Sequence, residues 1–309
     1  MTGLVILAYF LWTVDWDRML QILQRTHLWL IVLAFGMSVM IIAGKSWRWV
    51  WLLRRQDFFL PGWRAFGIYY ASVYLSFLTP GKIGDLAKVQ YLHEEGLGYG
   101  RALVSIVLDR LLDMLFLAGV GAAALLAVPE ILAGYYWLLW ILAAAGLLVA
   151  GLVVRYRSLV FNKIVSWLVP RQWRRRVSQE AAVFMTDTKA LWPDAWLISA
   201  MITALLWGVD FARIWVLAMA LDIPVTYLEM VLLSSVVSLL AVLPLSPSGT
   251  NIGTRDAALI LGFSLLGIGS REEAISLSML ILLGIVFDSI VGYIAFRRIP
   301  LRMASADEM

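Results

Sequence analysis

Residues 28–52 read LWLIVLAFGMSVMIIAGKSWRWVWL, and the first 17 of them carry no charged side chain. A helix needs about 20 apolar residues to cross the hydrocarbon core of a bilayer, so this run is long enough to span one. Backbone in lipid must satisfy its own hydrogen bonds, which favours a helix over a loop. The stretch therefore predicts a membrane-spanning helix.

The rest of the chain has the same character. Of its 309 residues, 62% are hydrophobic and only 15% are charged, and the mean hydropathy is +0.85. A soluble domain carries about 25% charged residues, so this chain has too little polar surface for one. Further spans are predicted at about 2–14, 101–128, 134–154, 195–220 and 271–296. We expect an all-α polytopic membrane protein that forms a single transmembrane domain over 1–309.

Several classes of chemistry are disfavoured by the residues that the chain lacks. It has no cysteine, and its two histidines, His27 and His93, are far apart in sequence. No phosphate-binding loop, nucleophile elbow or dinucleotide fingerprint is present. We therefore expect no metal site, no cofactor, no catalytic site and no nucleic-acid partner.

Residues 155–189 form a basic segment. They hold eight Lys or Arg residues against only Glu180 and Asp187, with Trp and aliphatic side chains between them. This pattern predicts an amphipathic segment on an anionic inner leaflet, or else an ordinary cytoplasmic loop. Both interpretations place 155–189 in the cytoplasm.

Positive charges also set the predicted topology. Three basic regions are assigned to the cytoplasm, namely 45–64, 155–189 and the C-terminal arginines, and the N-terminus lies on the same side of the inner membrane. Counting spans from these points leaves both ends of 63–100 inside and both ends of 224–270 outside. The apolar runs within them then enter the membrane and return, as two re-entrant helical hairpins. The alternative is that these runs are ordinary spans and one charge cluster breaks the rule.

The two hairpins share a sequence pattern. Leu78-Thr79-Pro80-x-x-Ile83-Gly84-Asp85 matches Leu245-Ser246-Pro247 followed by Ile252-Gly253-x-x-Asp256. The order of shared features predicts repeat one at about 28–128, a connector at about 129–194 and repeat two at about 195–296. Because the hairpins enter from opposite faces, the repeats are inverted, an arrangement that secondary transporters use.

Charged residues also occur inside the predicted spans. They are Asp109, Arg110 and Asp113 in one span, Asp210 and Arg213 in another, and Asp288 in the last. Such residues are expensive in a membrane and indicate either a functional site or fixed ion pairs that hold the repeats together. Asp109 and Asp113 share one helix face, and Arg110 either pairs with one of them or faces the next helix. Arg48 lies near a span end, and we interpret it as snorkelling to the interface.

The hairpin tips combine basic residues with helix N-termini, which favours phosphate binding. Lys82 and Arg255 are the expected phosphate contacts, and Lys82 and Asp85 alternatively neutralise each other. The predicted substrate-binding residues are Lys82, Asp85, Lys88, Asp109, Arg110, Asp113, Asp210, Arg213, Ser246, Asn251, Arg255 and Asp256.

Three of these motifs resemble a known family. Pro80-Gly81-Lys82-Ile83-Gly84-Asp85 with Lys88, then Asp109-Arg110 with Asp113, then Pro244 to Asp256, are similar to the lysylphosphatidylglycerol synthase transmembrane region. This is the flippase-like domain of the multiple peptide resistance factor and its stand-alone relatives. The family often carries Glu at the positions of Asp85, Asp109 and Asp256.

The resemblance implies a transporter that moves a phospholipid or polyprenyl-type lipid between leaflets. Its expected partners are membrane lipids with an anionic or phosphate-bearing headgroup, a glycosyltransferase or lipid synthase, and further copies of itself. Bifunctional members of the family carry a soluble aminoacyl-transfer domain after the membrane region. This chain ends at Met309, so we expect no synthase activity. Two alternatives stay open, a non-catalytic subunit of a lipid-modifying glycosyltransferase system and a membrane-embedded lipid headgroup transferase.

Overall fold

The computed structural model describes residues 24–79, 84–127, 192–242 and 253–300, together with Asp17, Gln21 and Ile22. Five predicted features lie outside these residues: the spans at 2–14 and 134–154, the basic segment 155–189, and the motif centres at 80–83 and 243–252.

The described ranges contain eight helices of two turns or more. They are α1 (Leu28–Arg54), α2 (Gly62–Leu78), α3 (Ala87–Glu94), α4 (Tyr99–Ala127), α5 (Trp192–Ala220), α6 (Tyr227–Val242), α7 (Thr254–Leu266) and α8 (Arg271–Arg298). Three helical stretches, α1, α8 and the Leu197–Ala220 part of α5, are long and apolar enough to cross a bilayer. The predicted class, an all-helical membrane protein, is confirmed.

The three long helices expose apolar side chains on their outer faces. Val32 on α1, Leu205 on α5 and Ile290 on α8 are all more than half exposed. An apolar surface of this kind would be unfavourable in water, whereas lipid tails solvate it without cost. The outer surface therefore fits a bilayer.

The end of α2 contacts Gly84, on the far side of residues 80–83. Thr79 follows α2 in an extended conformation, as expected for a residue before a proline. Its hydroxyl donates to Leu75 O over 2.9 Å and accepts from the Gly84 amide over 2.7 Å. A Cβ atom at Gly84 would lie 2.1 Å from the carbonyl carbon of Leu75, so only glycine allows the chain to return this closely. Gly84 therefore packs directly against the last turn of α2.

Two of the hydrophobic core clusters are each built mainly from one half of the chain. The first contains Trp49, Leu53, Ile68 and Tyr91, and the second contains Leu217, Met230, Phe263 and Leu277. Between the halves, α1 packs on α5, α2 on α8 and α4 on α6. The α2–α8 crossing is close, because a Cβ atom at Gly292 would lie 2.5 Å from the Tyr70 carbonyl oxygen. The polar side chains described next lie where these halves meet.

Candidate functional site

Arg48 of α1 is at the centre of a buried network, and its side chain has 0% exposure. Its Nε and Nη2 donate to Asp109 Oδ1 over 3.1 and 2.7 Å. Its Nη1 donates to Asp113 Oδ1 over 2.8 Å and to Thr203 Oγ1 over 2.6 Å. The snorkelling interpretation of Arg48 is therefore wrong. The guanidinium turns inward because two carboxylates offset its loss of hydration.

Asp109 and Asp113 lie one turn apart on the same face of α4. The Tyr69 hydroxyl donates to Asp109 Oδ2 over 3.0 Å. Asp113 accepts from the Trp207 indole over 3.2 Å, and its second oxygen lies 3.3 Å from Lys45 Nζ. Every oxygen of both carboxylates thus has a partner, which is what burial of a charge requires.

Lys45 belongs to this network as well. Its Nζ lies 4.7 Å from the centroid of the Trp207 ring, a cation–π contact. The sequence had predicted that Lys45 and Arg48 belong to a cytoplasmic basic cluster at 45–64. In the structure both side chains instead pair with acids of α4. The positive charges that remain there are those of Arg54, Arg55 and Arg64.

Asp85 links the first motif to α4. Lys88 Nζ lies 2.8 Å from Asp85 Oδ1, and Arg110 donates to Oδ2 from Nε over 2.8 Å and from Nη2 over 2.7 Å. Arg110 thus pairs with the acid of the motif instead of Asp109 or Asp113. The pair with Arg110 connects Asp85 to α4 in addition to the packing of α3 on that helix.

Arg255 and Asp256 lie in the first turn of α7 and contact α8. Arg255 Nε and Nη2 donate to Asp256 Oδ1 over 3.0 and 2.6 Å, and Nη2 donates to Ser278 Oγ over 3.1 Å. Asp256 also accepts from Ser278 Oγ and, over 2.8 Å, from the Gly253 amide, which caps the helix. Arg255 Nη1 is buried and has no hydrogen-bond partner within the described part of the chain.

A cavity of about 390 Å³ lies at the junction of the two halves. Its charged lining consists of Lys45, Asp85, Arg110 and Asp113 from the first half and Asp210, Arg213, Arg255 and Asp288 from the second. Among the described residues, four cations thus face four carboxylates. Charges within a membrane are costly unless paired or hydrated, so a cavity with this lining is a candidate site for polar cargo.

Similarity to known proteins agrees with the motifs. The family model described as the lysylphosphatidylglycerol synthase transmembrane region matches residues 1–292. The chain belongs to this family. It is also 22% identical over 308 residues to a UPF0104 membrane protein of Methanocaldococcus jannaschii, an alignment that covers 94% of this chain and 90% of the relative. The resemblance that the three motifs carried is confirmed.

Two further acids line the cavity of this family member from its second half. Asp210 accepts from Arg213 Nε over 2.9 Å, and Arg213 Nη2 lies 2.9 Å from the same oxygen. Asp288 accepts from Ser38 Oγ over 2.5 Å through Oδ2. Its Oδ1 is buried, and the described ranges offer it neither a hydrogen bond nor an ion pair.

The structure divides the predicted binding residues into three groups. Those that line the cavity are Asp85, Arg110, Asp113, Asp210, Arg213 and Arg255. Those that lie behind its wall, each in an ion pair, are Lys88, Asp109 and Asp256. Those outside the described residues are Lys82, Ser246 and Asn251.

Sequence reasoning missed Arg48, Lys45, Thr203 and Ser278. Arg48 had a usable signal, because the interior of the 101–128 span, beyond its first residue Arg101, holds two acids and only one base, and so needs another buried cation. Thr203 and Ser278 gave no signal, since a lone hydroxyl in an apolar helix is common and is satisfied by the backbone of its own helix.

Proposed function

We propose that this protein moves a lipid with a phosphate-bearing headgroup between the leaflets of the membrane. Membership of the family supports this, because its flippase-like members are associated with lipid movement. The observation that carries the proposal is the guanidinium of Arg255. It lies in the wall of the cavity, and its Nη1 has no partner among the described residues.

The surroundings of Arg255 favour a phosphate. Arg255 is in the first turn of α7, where free backbone N–H groups and the helix dipole attract anions. Arginine forms strong, directional hydrogen bonds to phosphate oxygens. Arg110 brings a second guanidinium to the same cavity, and its side chain is 43% exposed. In the proposed mechanism the headgroup occupies the cavity while the lipid tails stay among the exposed apolar side chains.

The pattern of helix packing supports two repeats. In this comparison each helix of the first half, α1 to α4, is matched in order with a helix of the second half, α5 to α8. The contact of α1 with α2 then matches that of α5 with α6, and the contact of α3 with α4 matches that of α7 with α8. The contact of α2 with α8 likewise matches that of α6 with α4. We include in the proposal that the two halves are inverted repeats. The α2–α3 and α6–α7 hairpins would then be re-entrant and would approach the cavity from opposite faces.

The proposal extends to the placement of the protein. The basic segment 155–189 and the arginines that end α8 would lie in the cytoplasm of a cell with an inner membrane, together with the N-terminus. Half-helices that meet at a midplane site would then expose the cavity alternately to each leaflet.

Reconstitution tests the function directly. Purified protein in vesicles should move a labelled phospholipid, and Arg255→Ala should slow this by roughly ten- to a hundred-fold, as expected for the loss of a charge-assisted bond of about 1.5–3 kcal/mol. Arg64→Ala is the matched control, because Arg64 pairs with Glu95 over 2.7 Å and does not line the cavity. Mass spectrometry of co-purified lipid would identify the headgroup.

Other outcomes would favour the alternatives. Equal rates for the parent protein and Arg255→Ala would remove the role of Arg255. Co-purification with a glycosyltransferase and no lipid movement would indicate an accessory subunit. Chemical change of the headgroup in the vesicles would indicate a transferase.

A further inference from the structure

Asp288 differs from the other buried acids at the cavity. Asp85, Asp109, Asp113, Asp210 and Asp256 each have a Lys or Arg nitrogen within 2.6 to 2.9 Å. Asp288 has no such partner within the described ranges, although its side chain lines the cavity and its Oδ1 is buried.

The groups around Asp288 come from each helix that packs on α8. Ser38 of α1 donates to it, and the Tyr70 hydroxyl of α2 faces it without forming a hydrogen bond of ordinary geometry. Asp210 and Arg213 of α5 are close enough to interact with it electrostatically. On α7, Arg255 and Asp256 contact α8 at Ser278, which is about 15 Å from Asp288 along the helix axis.

Burial without a counter-ion disfavours the charged form of a carboxyl group. The other charges at the cavity and behind its wall decide what can replace the carboxylate charge of Asp288 when it binds a proton. Among the described residues these are the cations Lys45, Arg48, Lys88, Arg110, Arg213 and Arg255 and the five paired acids. With Asp288 neutral, this set has one surplus positive charge, which an anionic headgroup would neutralise.

We infer that Asp288 is a proton-binding site, and that one proton enters the cavity together with each anionic headgroup. The carboxylate takes the proton from water on the side where the lipid is loaded and returns it to water on the other side. This inference rests on the proposed function, and it names the proton as the ion that drives the transport.

Arg213 provides a way for the protein to sense the proton. In the proposed repeat, Arg213-Ile214-Trp215 of α5 matches Arg48-Trp49 of α1 with the spacing off by one, and α8 corresponds to α4. Arg48 reaches the acids of α4, whereas Arg213 bonds to Asp210 on its own helix. Arg213 Nη1 nevertheless lies 3.6 Å from the position of a Cβ atom at Gly284, one turn before Asp288. Loss of the proton would draw Arg213 from Asp210 towards Asp288 and so change the contact between α5 and α8.

Vesicles with a pH gradient test the coupling. The parent protein should move labelled phosphatidylglycerol several-fold faster when the loading side is acidic than when the opposite side is acidic. Asp288→Asn mimics the neutral carboxyl, so it should still move lipid but at the same rate in both gradients. Asp57→Asn is the matched control, because Asp57 lies in a loop outside the cavity at a φ of 54°, which Asn tolerates. This variant should keep the response to the gradient.

The possible outcomes distinguish a failure of proton coupling from a failure of the proposed lipid transport. Lipid movement that ignores the gradient in the parent protein, or a gradient response that survives in Asp288→Asn, would overturn proton coupling and leave the transport function intact. No lipid movement under any condition would overturn the transport function itself. Infrared spectroscopy then still tests the proton site, because the carbonyl band of a protonated carboxyl should be lost in Asp288→Asn, and an unchanged spectrum would reject it.

Discussion

Arg48 of α1 and Asp109 of α4 share two hydrogen bonds, from Nε over 3.1 Å and from Nη2 over 2.7 Å, although 61 positions separate them in sequence. Tyr69 of α2 occupies the other oxygen of Asp109 over 3.0 Å. Apolar packing between membrane helices has no hydrophobic driving force in lipid, so a polar contact of this kind fixes which helix faces which. The pair sets the register of α1 against α4.

Removing one member of this pair should be costly. Arg48→Met leaves the carboxylates of Asp109 and Asp113 buried without their main cation, and we expect a loss of about 3–5 kcal/mol in unfolding free energy. The unfolding free energy of Arg48→Lys should lie between those of the parent protein and Arg48→Met, because a compact ammonium group cannot reproduce the forked hydrogen bonds of a guanidinium. Thermal unfolding in detergent, followed by tryptophan fluorescence, measures the difference.

Arg54→Met is the control for this experiment. Arg54 lies one and a half turns further along α1, is exposed, and stacks over the Phe59 ring at 5.6 Å. Its replacement should change stability by less than about 1 kcal/mol. Equal unfolding temperatures for Arg48→Met and Arg54→Met would contradict the assignment of Arg48 to a buried network.

Thr203 ties this network to the second half of the chain. Its Oγ1 accepts from Arg48 over 2.6 Å and donates to Ser199 O over 2.7 Å. Thr203→Val keeps the shape and removes the acceptor, so it should cost about 1–3 kcal/mol in unfolding free energy. Thr203→Ser keeps the hydroxyl and should lose less than Thr203→Val. The reverse order in chemical unfolding would show that the methyl group, and not the hydrogen bond, matters at this position.

The contact between Gly84 and α2 gives a backbone prediction. Gly84→Ala would place a methyl group 2.1 Å from the Leu75 carbonyl carbon, so Gly84 and the end of α2 must move apart. We expect a loss of about 1–3 kcal/mol in unfolding free energy, together with slower lipid movement, because Asp85 follows directly. Gly62→Ala is the control, since a Cβ atom there meets nothing within 4 Å. If both variants behave like the parent protein, the close contact between Gly84 and Leu75 does not contribute to stability.

The helices themselves were largely predictable from sequence. The expected spans at 28–52, 195–220 and 271–296 correspond to α1, α5 and α8, because long apolar runs in lipid have few alternatives to a helix. Two helix ends were also readable from local chemistry. Thr79, which precedes Pro80, ends α2, and the capping residue Ser270 begins α8.

The partners within the site were much harder to predict. Asp109 and Asp113 were recognised as intramembrane acids, but their cation comes from Arg48, on a different helix. Arg110, next to them in sequence, points instead to Asp85. Local spacing gives the face on which a side chain lies, whereas its partner depends on how the helices pack, which hydropathy does not encode.

The orientation of the two hairpins yields the last prediction. The chain has no cysteine, so a single introduced cysteine reports its own position without interference. Glu95, at the end of α3, is solvent-exposed, and its ion pair with Arg64 is worth little at such a surface. Gly269, after α7, is also exposed, and a Cβ atom there first meets the flexible carboxylate of Glu273. Both positions should therefore accept cysteine.

Opposite entry of the hairpins requires opposite labelling of these two cysteines. In intact cells an impermeant thiol reagent should modify Gly269→Cys from outside and leave Glu95→Cys unmodified until the cells are opened. The reason is that both ends of 63–100 are then cytoplasmic and both ends of 224–270 are external. Labelling of Glu95→Cys in intact cells would mean that α2 crosses the membrane completely. The inverted arrangement would then fail, while the buried ion pairs between α1 and α4 would be unaffected.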